Sequence, residues 1–169
     1  AKGDPAALAE AVGGTLLPTG SVRVTDAGQV STMPGFAEGE WWVQDAAAAI
    51  PVQVLAPQKG ETVLDLCAAP GGKTMQLAAA GAEVTAVDSS VPRMVRVKEN
   101  LARVGLTAKT LTKDVRAVKG TFDAILLDAP CSATGTIRRH PDLPHAKDGS
   151  EFAELIGLQA QMLAHAWSL

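Results

Sequence analysis

Four carboxylates and one thiol stand along the chain where they could do chemistry together. Asp65, Asp88 and Asp128 each come late in or just after an apolar run: Thr62-Val63-Leu64, Glu83-Val84-Thr85-Ala86-Val87 and Phe122-Asp123-Ala124-Ile125-Leu126-Leu127. Asp114 follows a fourth run over residues 108–112, and Cys131 lies three residues beyond Asp128. Continuous hydrophobic runs of this length read as buried parallel strands. In an open α/β sheet, ligands bind beyond the carboxyl ends of the strands. The four acids are therefore expected to gather at one edge of one sheet.

Behind Asp65 comes Cys67-Ala68-Ala69-Pro70-Gly71-Gly72-Lys73-Thr74. Two adjacent glycines let the backbone turn sharply and approach a ligand with no side chain in the way. The helical pattern over residues 73–80 would present free N–H groups to that loop, which suits a carboxylate or a phosphate. A nucleoside triphosphate loop would need G-x-x-x-x-G-K-[ST]; Gly72-Lys73-Thr74 matches its end, but Cys67 stands where the first glycine belongs. The dinucleotide string G-x-G-x-x-G is absent. An acid at the end of the second strand, Asp88, is placed for ribose hydroxyls. A nucleoside without a phosphate chain is indicated.

Taken together, Leu64-Asp65-Leu66-Cys67-Ala68-Ala69-Pro70-Gly71-Gly72-Lys73-Thr74, Val87-Asp88 and Leu127-Asp128-Ala129-Pro130-Cys131-Ser132 resemble the RNA cytosine-carbon-5 methyltransferases of the Sun/Fmu type. Pro34-Gly35-Phe36, Gly39 and Val43-Gln44-Asp45 resemble that family's opening segment, so the likeness runs from about residue 34 to about residue 142. It implies an α/β, Rossmann-like class I methyltransferase fold, S-adenosylmethionine as cofactor and RNA, ribosomal or transfer, as substrate. Cys67, Ala68, Ala69, Pro70, Gly71, Gly72, Lys73, Asp88, Arg93, Asp114 and Asp128 are then the expected cofactor-binding residues. Lys73 could meet the cofactor carboxylate or be a solvated first-turn lysine. Asp114 could take the adenine amino group or be a loop aspartate in water.

The resemblance also supplies the chemistry. Carbon 5 of cytosine is a poor nucleophile until a thiolate adds to carbon 6 and makes the ring enamine-like; a base later removes the carbon-5 proton and the thiolate leaves. In the family this chain resembles, the attacking cysteine lies in a Thr-Cys-Ser motif after the fifth strand, and the Pro-Cys cysteine assists product release. No Thr-Cys occurs in these 169 residues. Cys131 is thus expected to serve release, with Asp128 beside it in a catalytic role. Ala129-Pro130-Cys131 in place of Pro-Pro-aromatic points away from methylation of an exocyclic amine. Seven strands are expected for the fold and four are read here, so the chain is expected to be a parallel-sheet half, C-terminally incomplete and inactive alone.

The length suits one domain, and 47% hydrophobic with 20% charged residues is ordinary for a globular protein. No signal-like opening and no apolar span are read, so the default is cytoplasmic with no membrane partner. The two cysteines and three histidines show no zinc spacing, and no metal is expected. A formal charge of −3 is not the basic footprint of a nucleic-acid binder. Positive charge is bunched locally, at Arg138-Arg139-His140 and along Arg93, Arg96, Lys98 and Arg103, where a solvated helix face is expected.

In chain order, residues 1–33 read as an appendage: a helix over 5–12, then a hairpin of 22–24 with 29–31 around the turn 25–28. Residues 34–169 read as the partial catalytic domain. Trp41 and Trp42 are expected in the core or a lid. Asp45 should cap a helix that Pro51 bends or restarts and Pro57 with Gly60 ends. Met94, Val97, Leu101 and Val104 form one buried stripe of a helix stopped by Gly105. A last helix is expected over 150–167. Two rival readings stay open: a nucleotide hydrolase, from Gly72-Lys73-Thr74 and Ile125-Leu126-Leu127-Asp128, and a non-catalytic RNA-binding module on the same fold.

Overall fold

A computed structural model describes all residues, 1–169. The chain opens with α1 (Pro5–Ala11), capped by Asp4, followed by β1 (Thr15–Leu16) and β2 (Val22–Arg23), which pair antiparallel. The hairpin is therefore one strand earlier than expected. Its turn is closed by Leu17 N–H to Ser21 O and Gly20 N–H to Leu17 O, with Gly20 at φ +70°. Residues Val30–Thr32 instead wind into a 3-10 turn, because both the amide and the hydroxyl of Thr32 donate to Gln29 O. That local closure leaves Val30 no partner strand.

Next comes α2 (Ala46–Leu55), whose first turn is capped by the Asp45 carboxylate at 2.9 Å from Ala47 N. Pro51 sits inside α2 without dividing it. The helix ends at Ala56, in left-handed geometry just before Pro57, where a helical residue is disfavoured.

The centre is four parallel strands: β3 (Thr62–Leu66), β4 (Glu83–Asp88), β5 (Lys109–Thr112) and β6 (Ala124–Leu127), in the order β5-β4-β3-β6. α3 (Gly72–Ala79) crosses from β3 to β4 and α4 (Val91–Val104) from β4 to β5. The chain then returns to place β6 on the far side of β3. The strand order reverses between β3 and β6, and such a switch point opens a crevice at the carboxyl ends. A short α5 (Leu143–Ala146) and α6 (Phe152–Ala166) follow.

Alternate residues of β3 go to opposite faces. Leu64 and Leu66 pack with Val87, Val115, Val118, Met162 and Ala166 on the α6 side. Val63 packs with Val52, Leu77, Val84 and Leu126 on the side of α2 and α3. The predicted stripe Met94, Val97, Leu101, Val104 is buried against Ala69 and Met75. Fully burying each such side chain is worth about 1.5–3 kcal/mol, so the sheet is held firmly under its loops.

Trp41 is buried, its indole N–H donating to Pro34 O at 2.8 Å and its ring edge-on to Phe36. Trp42 is half-buried and donates to Gln44 Oε1. No helix is long and apolar enough to cross a membrane.

Candidate active site

The loop between β3 and α3 is held by backbone and by α4. Ala68 N–H donates to Val87 O at 3.0 Å, and Gly71 N–H to Ala68 O at 2.8 Å. Gly71 takes φ +102°, and a Cβ there would sit 3.3 Å from Val97, so this glycine is required twice over. From the far side, Asp88 Oδ2 accepts from Ala69 N at 3.2 Å, Arg93 donates to Ala69 O at 2.6 Å, and Asn100 donates to Pro70 O at 3.0 Å. Asn100 escaped the sequence reading, since an asparagine in a helix carries no signal of a distant carbonyl. Arg93 is more than a solvated charge: it holds the loop and lies 3.5 Å from Asp88.

Asp88 is 2% exposed, with its second oxygen accepting from Ser90 N at 2.9 Å. Asp65 is fully buried beneath the loop, accepting the Thr74 hydroxyl at 2.5 Å, while its Oδ1 has no partner. Burial pushes its carboxyl up to about 6, against the pull of the Thr74 hydrogen bond and the Lys73 charge. Lys73, in the first turn of α3, reaches across to Asp128 at 2.7 Å. The solvated-lysine alternative is thus corrected: Lys73 is largely covered and paired.

Lys73, Asp88 and Asp128 all lie near enough for their charges to act on Asp65. The four acids stand at or near the ends of neighbouring strands, Lys113 N–H donating to Asp88 O at 3.1 Å, and Asp114 pairs with Arg116 at 2.7 Å. That contact, through side chain and backbone, holds its carboxyl down at about 2. Arg116 in turn donates to Gln161 of α6.

Asp128 N–H donates to Leu66 O at 3.2 Å, which sets the exit of β6 directly beside the exit of β3. Gln159 of α6 donates to Pro130 O at 2.6 Å, leaving Cys131 exposed. Cys67 is half-buried at φ +63°, and burial followed by the charge of Asp88 pushes its thiol up to about 11. It contributes its backbone to the loop and no nucleophile. A cavity of about 620 Å³ lies elsewhere, between the N-terminal segment and α2 and α3, lined by Leu8, Leu17, Val22, Trp42, Ala49 and Ala80. It holds none of these carboxylates.

The pattern that defines the 16S rRNA methyltransferase RsmB/F family matches residues 52–169. The chain belongs to the RsmB/F methyltransferase family. It is 49% identical over 154 residues to the ribosomal RNA small subunit methyltransferase B of Serratia proteamaculans, with 87% of this chain and 36% of that protein covered. It therefore spans about a third of the length of that relative. A methyltransferase homologue from Pyrococcus horikoshii superposes with a TM-score of 0.71 at 29% identity, covering 86% of this chain and 47% of the other. NSun6 from Pyrococcus horikoshii, solved with SFG, gives a TM-score of 0.58 at 33% identity over 63% of this chain and 29% of its own.

Membership confirms the Rossmann-like class I fold and sets aside the nucleotide hydrolase. The cofactor of the RsmB/F fold is S-adenosylmethionine. The residues present fit it: a bare-backbone turn at Gly71 and Gly72 beside the open N-terminus of α3 suits its carboxylate, and buried Asp88, one strand away, suits its ribose hydroxyls.

Proposed function

We propose that this chain is the cofactor-binding half of an enzyme that methylates carbon 5 of a cytosine in RNA, most simply ribosomal RNA, in the cytoplasm. The observation that carries the reading is the adjacency of two exits. The loop of β3 and the Asp128-Ala129-Pro130-Cys131 turn of β6 lie side by side, bridged by the 2.7 Å pair of Lys73 and Asp128. A methyl donor cradled by the first would face a base held by the second. Residues 34–169 form the catalytic part, and 1–33 an appendage to it.

S-adenosylmethionine supplies an electrophilic methyl group when bound. Cys67, Ala68, Ala69, Pro70, Gly71 and Gly72 line it with backbone, Asp88 orients the ribose, and Asp114 is at hand for the adenine amino group. Arg93 acts through Ala69, holding the loop open. Asp128 accepts hydrogen bonds from the cytosine or from the cofactor amino group, and Lys73, paired with it at 2.7 Å, aims it. Cys131, exposed at the turn, assists release of the methylated product, in which a base takes the carbon-5 proton, the 5,6 double bond re-forms and the attacking thiolate leaves carbon 6; that first nucleophile is a different cysteine, as the family resemblance implies.

Calorimetric titration with S-adenosylmethionine, ATP–magnesium and NAD tests the cofactor half. Binding of the first alone is expected, weakened in Asp88→Asn. Binding of ATP and not of S-adenosylmethionine would overturn the reading. The target half is tested with the full-length protein from the natural gene, by mass spectrometry of ribosomal RNA for 5-methylcytosine. Methyl transfer to a base nitrogen would refute carbon-5 chemistry, and transfer to transfer RNA alone would replace the substrate.

A further inference from the structure

The loop after Cys131 is an exposed strip whose positive charge the proposed chemistry does not use. Between residues 138 and 147 lie Arg138, Arg139, His140, His145 and Lys147 against the single carboxylate Asp142. All five are exposed, in a protein whose formal charge is −3. Three of them share one compact turn, because Arg139 N–H and His140 N–H both donate to Thr136 O, at 2.8 and 3.0 Å. Lys147 is taken by Glu151 at 2.6 Å. Arg138 has no ion pair, and Arg139 has a loose one, 3.9 Å from Asp45.

That loose pair locates the strip. Asp45 caps the start of α2, and its neighbour Gln44 bonds to Gln76 of α3 and would be the contact of a Cβ at Gly72. The turn carrying Arg138 and Arg139 thus reaches from the exit of β6 to the start of α2, whose Gln44 lies against Gly72, the residue before Lys73. Resting on the reading above, we propose that Arg138 and Arg139 clamp the phosphates of the substrate RNA next to the target cytosine, Arg139 exchanging the Asp45 carboxylate for a phosphate. Guanidinium forks match phosphate oxygens bidentately, and a partner held at 3.9 Å in water is readily given up.

The test uses the full-length protein from the natural gene and a fluorescein-labelled RNA hairpin with cytosines in its loop, titrated at several salt concentrations, with heparin as a competitor. Arg138→Gln/Arg139→Gln is expected to weaken RNA binding at least tenfold and to reduce the slope of log affinity against log salt by about 1.4, two single-strand phosphates' worth. Its affinity for S-adenosylmethionine should stay within about twofold, since neither arginine touches the cofactor loop. Asp45→Asn keeps the helix cap and removes the competing charge, so RNA should bind about two- to fivefold tighter, the worth of one exposed ion pair. An unchanged slope in the double variant with intact cofactor binding overturns the clamp and leaves the methyltransferase reading standing. Equal loss of heparin and RNA binding overturns it as well, showing a general polyanion patch. A wild-type protein that binds the cofactor but no RNA overturns both the clamp and the RNA substrate.

Discussion

Thr74 donates its hydroxyl to Asp65 at 2.5 Å with both side chains fully out of water, tying the middle of β3 to the first turn of α3. The carboxyl is raised from 3.8 to about 6. The sign follows from proton binding. Between those two values the folded chain holds a proton that the unfolded chain has released, so stability rises as pH falls through 6 towards 4 and is lost again on returning to neutrality. The full span is about 3 kcal/mol. Asp65→Asn keeps an acceptor for Thr74 and removes the titration. Its melting temperature should exceed that of the wild type at pH 7.5 and vary little between pH 4 and 6; parallel curves for the two proteins would show that Asp65 is ionised throughout.

Thr74→Val at the same contact removes the only donor that Asp65 has. A buried acceptor left unpaired costs about 1–3 kcal/mol, more when charged. Urea unfolding at pH 7.5 should show that loss, and the loss should shrink at pH 5, where the carboxyl is protonated.

The two thiols should separate cleanly under alkylation. Cys131 is exposed, whereas Cys67 is half-buried beside Asp88 with its thiol pushed up to about 11. Thiolate is the reactive species. Iodoacetamide at pH 8 followed by peptide mass spectrometry is expected to find label on Cys131 and little on Cys67 until the chain is unfolded. Rapid labelling of Cys67 in the folded chain would contradict the burial argument.

Asp88 and Asp128 should divide binding from turnover. Asp88→Asn is expected to weaken S-adenosylmethionine about 10- to 100-fold, the worth of one or two charge-assisted hydrogen bonds. Asp128→Asn, at the exposed partner of Lys73, should lower kcat of the full-length protein about 10²- to 10⁴-fold with a smaller change in cofactor affinity. The reverse pattern would exchange the two roles.

Gly39 is fixed by its neighbours. It takes φ +70°, and a Cβ there would lie 2.0 Å from Arg103 O and 2.7 Å from the Cα of Val104. Arg103 also donates to Phe36 O and Trp41 O and stacks on the Phe36 ring at 4.0 Å. Gly39→Ala should therefore destabilise by about 2–4 kcal/mol in chemical denaturation, through strained backbone and overpacking together. A loss below half a kcal/mol would mean that the segment moves aside freely.

Much of this was legible without coordinates. The strands at Thr62–Leu66, Glu83–Asp88 and Ala124–Leu127 announced themselves as apolar runs, because strands buried on both faces need no polar alternation. The stripe of α4 followed from its three- and four-residue spacing, and Asp45 was readable as a cap, since those signals are local. The hairpin was misplaced because two short polar segments with glycine turns were nearly equivalent in sequence, and a hydroxyl-to-carbonyl bond at Thr32 decided between them.

The sequence by itself determined the site's inventory: the glycine loop, the acids at the strand exits, and a Pro-Cys turn in place of the motif expected for an amine. Tertiary structure alone decided the relations among them. Asp114 was paired with Arg116 where β5 ends, Lys73 was assigned to Asp128 by the placement of β6 beside β3, and Arg93 and Asn100 were directed onto the loop by the docking of α4. Residue types and spacing along the chain set local conformation, but which charge meets which is a distance in space, and that is fixed only when the strand order is.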